Sequence, residues 1–246
     1  MNKKKILSLA LVVLLICTIS FGTLAWFNAT DEVTNTFKVA TSDGEGTPDF
    51  SISVLEKEVN EDGQETGEYV DDGNTYSDIL PGDCLPKNVN IYNTGTYDQW
   101  VRIHVTFSDS AVWQQAIEKA RVATNPELDF TTYVVNKMIK SPSTEFCETP
   151  VEVSFNKFGP DTMTFTYYYT NPLKGSPSDS NTGTFIWFMK NFTIPGVLEQ
   201  EDMNFGTDGF TLTIKAEAVQ VDNLKATNAP DAFKEVVWEV GSEYGA

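Results

Sequence analysis

QWVRIHVTFS, residues 99–108, decides the fold class. Val101, Ile103, Val105 and Phe107 fall on one side of an extended chain, and Trp100, Arg102, His104 and Thr106 on the other, because successive side chains of a strand point to opposite faces. The period of two predicts a strand with the first set in a core and the second toward solvent or a covering loop.

Working outward, the same alternation recurs. Phe50, Ile52 and Val54 alternate with Ser51 and Ser53. Lys87–Tyr92 follows the Pro81-Gly82 turn, and Asn93-Thr94-Gly95 is another turn. Val151, Val153 and Phe155 alternate, as do Met163, Phe165, Tyr167 and Tyr169 beyond Gly159-Pro160. Thr184–Phe192 and Gly209–Val221 read as further strands, the latter with Phe210, Leu212, Ile214, Ala216 and Ala218 inward. Thr34–Ala40 reads as a short strand. Glu56–Asp78 is acidic and glycine-rich and reads as a hairpin tip or long surface loop. One segment changes period. Val112, Trp113, Ala116, Ile117 and Ala120 recur at helical spacing, with Ser108, Asp109 or Ser110 as cap and Asn125-Pro126 as stop. Thr131–Lys140 fits strand or helix, and Pro230 opens a short helix with Ala232, Phe233, Val236 and Val237 inward. The expectation is an all-β chain, an antiparallel two-sheet sandwich with inserted short helices, the main one at about 110–123. The pattern leaves jelly-roll and immunoglobulin-like topologies open.

The beginning of the chain has a different character. Lys3, Lys4 and Lys5 precede ILSLALVVLLICTISF, residues 6–21, and small residues follow. This is the layout of a secretory signal. This run of 16 residues, weakened by Ser8, Thr18 and Ser20, reaches about 24 Å as a helix, short of a hydrocarbon core of about 30 Å. Thr23 and Ala25 supply small residues at the −3 and −1 positions, so cleavage after Ala25 is preferred over cleavage after Trp26. The predicted organisation is a signal peptide at 1–25, an N-terminal segment at 26–40 and a sandwich domain at 41–246. Contact with a membrane is expected only through the uncleaved signal.

The chain has 17 Lys+Arg against 35 Asp+Glu, a formal charge of −18. Residues 1–25 hold three lysines and no acid, so their removal takes the charge to −21. Such a surface repels phosphate backbones, which argues against nucleic-acid binding. Two cysteines lie beyond the signal, Cys84 and Cys147. Outside the cell they could form a disulfide or remain unpaired.

GTLAWFNATDEVTNTFKVA, residues 22–40, resembles the signal and mature N-terminus of the TasA/camelysin family of secreted Gram-positive proteins. Leu80-Pro81-Gly82-Asp83, Val89–Gly95, Trp100–Ile103 and Lys215–Asn223 resemble that family's later turns and strands, in the same order. The resemblance implies a jelly roll, processing by a signal peptidase of the SipW type, and a place at the cell surface or in the extracellular biofilm matrix. It further implies fibres built by copies of the chain itself, with other matrix proteins as further partners. The N-terminal segment of one subunit would complete the sheet of the next, and Phe27, Ala29, Val33, Phe37 and Val39 are the apolar residues it could insert.

Camelysin has been described as a metallopeptidase, so chemistry must be weighed. His104 is the single histidine, so no H-E-x-x-H can exist. Serine or cysteine catalysis lacks a recognisable base and motif. Asp71-Asp72-Gly73-Asn74 with Asp78 offers oxygen ligands without the EF-hand order. Tyr167-Tyr168-Tyr169 and Trp187 could stack on sugars, although alternation places about half of them in a core. The expectation is therefore no enzyme, no catalytic residues, no metal and no cofactor. The alternatives are a camelysin-like cell-surface metallopeptidase and a monomeric surface adhesin.

Overall fold

A computed structural model describes residues 28–33, 50–60, 64–70, 73–76, 78–140, 152–175, 184–206, 209–222 and 224–236. The signal, both cleavage positions, Phe27, Phe37, Val39 and Cys147 lie outside the described residues. So do the expected strand at Thr34–Ala40 and the acids Asp71 and Asp72.

Among the described residues, ten strands form two antiparallel five-stranded sheets. In chain order they are β1 (Asn28–Val33), β2 (Ile52–Val59), β3 (Glu65–Val70), β4 (Cys84–Asn93), β5 (Gln99–Phe107), β6 (Ile139–Lys140), β7 (Glu152–Phe155), β8 (Met163–Tyr168), β9 (Thr184–Thr193) and β10 (Leu212–Gln220). Sheet A has the order β1-β10-β5-β8-β7, and sheet B the order β3-β2-β4-β9-β6. The fold is thus a mostly β two-sheet sandwich with few helices.

β5 stands at the centre of sheet A. Its odd-numbered set, Val101, Ile103, Val105 and Phe107, has no exposed surface and lies in the core with Val89 and Ile91 of β4 and Ile186 and Phe188 of β9. Met163, Phe165 and Tyr167 of β8 and Ile214, Ala216 and Ala218 of β10 join them from the neighbouring strands. Tyr167 and Tyr169 are core residues and are not available for stacking on sugars.

Helix α1 (Ser110–Thr124) closes one end of the sandwich. Its buried face is Trp113, Ala116, Ile117 and Ala120, the expected helical set, with Asn125 at its C-terminus. Asp109 is the N-terminal boundary residue but adopts a left-handed conformation, φ 54°, and its side chain makes no cap. Asp161 takes over: its Oδ1 accepts from the Ser110 hydroxyl at 2.8 Å and from the Ala111 N–H at 3.4 Å. The ambiguous stretch resolves as helix α2 (Phe130–Tyr133), a π-helical turn at Val134–Met138, and then β6. Helix α3 (Ala229–Glu235) begins as expected, with proline in its first turn and the Asn228 side chain accepting from the Asp231 N–H at 2.9 Å.

Glu56–Asp78, expected as a hairpin tip or long surface loop, carries more of the hairpin than its tip: β2 runs on to Val59 and pairs antiparallel with β3 inside the acidic stretch. Glu56 is fully buried, because Lys87 Nζ donates to it at 2.6 Å and Asn74 Nδ2 at 2.7 Å. A bulge between Pro86 and Val89 interrupts the register there, and Lys87 is buried beside Glu56. Phe155, in the alternating set with Val153, is 48% exposed, because β7 is the outer strand of sheet A.

Candidate functional site

The free edges of a sandwich are its chemically unsatisfied backbone. One edge of sheet A is formed by β1, which pairs antiparallel with β10 from Asn28↔Val219 to Val33↔Ile214. Ala29 falls opposite Ala218 and Val33 opposite Ile214, the core-side register positions of β10. Asp31, between them, falls opposite Ala216. Two of the five candidate donor residues therefore lie in an edge strand that completes the chain's own sheet.

The other face of β10 carries a buried polar cluster. Glu217 lies between Arg102, whose Nε donates at 2.5 Å, and His104, whose Nε2 is at 3.1 Å. His104 Nδ1 is 2.9 Å from the Thr166 hydroxyl. Lys215 Nζ is 3.9 Å from the other Glu217 oxygen. The even-numbered face of β5 thus has a cover and not solvent. Phe158, in the turn between β7 and β8, sits edge-on to His104 at 4.9 Å with Lys215 at 5.3 Å. Phe233 of α3 stacks under the Arg102 guanidinium at 4.3 Å, within a second small core with Trp100 and Val219.

Burial drives the His104 pKa down to about 4, and the opposing attraction of Glu217 does not restore it. Burial pushes Glu217 up, but the hydrogen bond and charge of His104 and the charge and hydrogen bond of Arg102 outweigh it, holding the carboxyl at about 2. At neutral pH His104 is then uncharged. An ionised Glu217 can only accept, so Nε2 carries the proton and Nδ1 accepts from Thr166. With no exposed surface and both nitrogens engaged, His104 ties β5 to its two neighbours β8 and β10 within sheet A.

Among the described residues, no three His, Cys, Asp or Glu side chains lie close enough to hold a metal ion. Asn74, read as an oxygen ligand, spends its side chain on Glu56, the Lys57 carbonyl and the Val59 N–H. Cys84 is an exposed free thiol at the start of β4. No described helix is long and apolar enough to cross a membrane.

Two surface features were not foreseen. A shallow groove beside α1 is lined by Val122, Phe130 and Phe155 among polar neighbours. The outer face of sheet B carries Tyr69, Tyr92, Phe185 and Trp187. Of these four the sequence reading names Trp187, beside Tyr167-Tyr168-Tyr169; what brings in the other three is the pairing of β9 with β4, of β4 with β2 and of β2 with β3.

Searches against protein-family models, curated proteins and solved structures find no match to this chain.

Proposed function

We propose that the chain is a secreted structural subunit of extracellular biofilm-matrix fibres that joins copies of itself head-to-tail by β-strand addition. The carrying observation is the six-residue pairing of Asn28–Val33 with β10. These residues begin three positions after the preferred cleavage site, so processing would free the segment that completes sheet A. About 18 residues separate Val33 from Ile52, a tether of at most about 60 Å. A tether of that reach lets the same strand serve its own sheet or that of a neighbour. The backbone bonds gained are the same in both cases, so exchange costs little beyond the entropy of association. Head-to-tail contacts whose rotation does not close a ring give filaments.

The jelly-roll reading is supported by the order of crossings. β1, β4, β5 and β6 alternate between the two sheets, as do β8, β9 and β10, with β2–β3 and β7 as additions at the edges. Processing by a SipW-type peptidase and a Gram-positive surface or matrix location belong to the same proposal, through the residues 22–40 that resemble that family.

The test compares a chain beginning at Trp26 with one beginning at Phe37, by electron microscopy and size-exclusion chromatography. Fibres are expected from the first and folded monomer from the second. Equal fibre formation by both would sink the mechanism. A persistent monomer in both would favour the adhesin, and casein cleavage abolished by chelator would favour the peptidase.

A further inference from the structure

The aromatic row lies on the outer face of sheet B and takes no part in the pairing of β1 with β10. Tyr92 and Phe185 face each other across the β4–β9 register, with ring centroids 5.2 Å apart and planes 29° from parallel. Tyr69 meets Tyr92 edge-on at 6.5 Å, and their hydroxyls are 3.0 Å apart. Trp187 follows Phe185 by two residues on the same face of β9. Phe185 is 54% exposed, Tyr69 43% and Trp187 39%. Three rings in mutual contact on three strands, with a fourth two residues along β9, are unusual for a surface that only has to be soluble.

The shape and chemistry of the row limit its occupant. It is the face of a sheet and not a concavity, so it suits an extended polymer better than a small molecule, which needs enclosure. Rigid rings offer contact area at small entropic cost. A pyranose ring fits them well, because it has an apolar C–H face and a hydroxyl rim. The tyrosine hydroxyls supply polar partners at that rim.

Charge narrows the class further. The chain carries twice as many acids as bases, yet both ends of the row carry lysine. Lys57 Nζ lies 5.6 Å from the Tyr69 ring and Lys190 Nζ 5.6 Å from the Trp187 ring. Glu65 of β3 has its carboxylate engaged by Asn88 Nδ2 at 3.1–3.2 Å. We propose that the outer face of sheet B binds an acidic polysaccharide, stacking its sugar rings on Tyr69, Tyr92, Phe185 and Trp187 and pairing its carboxylates with Lys57 and Lys190.

The experiment is native affinity electrophoresis of the full chain through gels containing polygalacturonate, alginate, hyaluronate or neutral dextran. Retardation is expected in at least one acidic gel and not in dextran. Trp187→Ala and Tyr92→Ala are each expected to raise the apparent Kd about tenfold. Lys190→Gln should raise it about threefold, with the loss reproduced by added salt. Circular dichroism confirms that the variants fold. The proposal is overturned by no retardation in all three acidic gels, by equal retardation in dextran, or by folded aromatic variants that bind as well as the parent. It is equally overturned if those variants change only the oligomeric mass, since the row would then be a contact between copies.

Discussion

At the residue scale the decisive group is Glu217. It is the common partner of Arg102, His104 and Lys215, brought from two strands onto one buried face. Removing it by Glu217→Ala leaves Arg102 without its carboxylate, and a loss of about 3 kcal/mol is expected in urea denaturation. His104 gives a pH signature. Its folded pKa is depressed to about 4, so the unfolded chain takes up a proton that the folded chain refuses. Stability is therefore complete above about pH 6.5 and falls as pH drops toward about 4, by up to about 3 kcal/mol from this group. Glu217, also depressed, gives up its share lower, as pH falls from about 4.5 toward about 2. A His104→Gln chain should show a flatter melting-temperature profile between pH 6.5 and 4; an unchanged slope would remove His104 as the cause. The sequence made this face legible in part. Arg102 and His104 alternate with core residues, and so do Lys215 and Glu217. It could not show that Phe158 and Phe233 arrive from distant turns to cover them, because those contacts span more than fifty residues.

At the element scale, β1 is the strand on which the proposed assembly turns. An acid at position 31 stands opposite Ala216, between two apolar positions that face core residues. A charge there is one way edge strands are kept from pairing too readily. Asp31→Val is expected to strengthen the docking of β1 by about 1 kcal/mol, read as slower amide exchange in Asn28–Val33. The paired change Thr30→Pro with Asp31→Pro must strike a ladder N–H, since hydrogen-bonded and non-bonded positions alternate. It should abolish fibres and leave the circular dichroism of the sandwich intact. The helix period of α1 was plain in the sequence, but its cap was not: Asp109 stands in the right place, and Asp161, some fifty residues on, supplies the acceptor.

At the scale of the whole molecule, charge opposes association. Copies carrying −18, or −21 after processing, repel one another, and salt screens that repulsion over a Debye length of about 10 Å at 0.1 M. Raising sodium chloride from about 20 to about 200 mM should speed assembly in light scattering. Slower assembly at high salt would mean that attraction between opposite charges, not backbone pairing, holds the copies together.

The mostly β class, the central strand at 99–107, the helix after it and the core-facing sets Val101–Phe107, Trp113–Ala120 and Ile214–Ala218 were legible in the sequence alone. These follow from local periodicity, which a single segment carries within itself. Only the tertiary structure decided that β1 closes sheet A against β10, that Glu56 and Lys87 meet in the interior, and that four aromatic rings converge on sheet B. Each of those depends on strand order and register, which are set by how distant segments bury their apolar faces together, and no single stretch of chain encodes that choice.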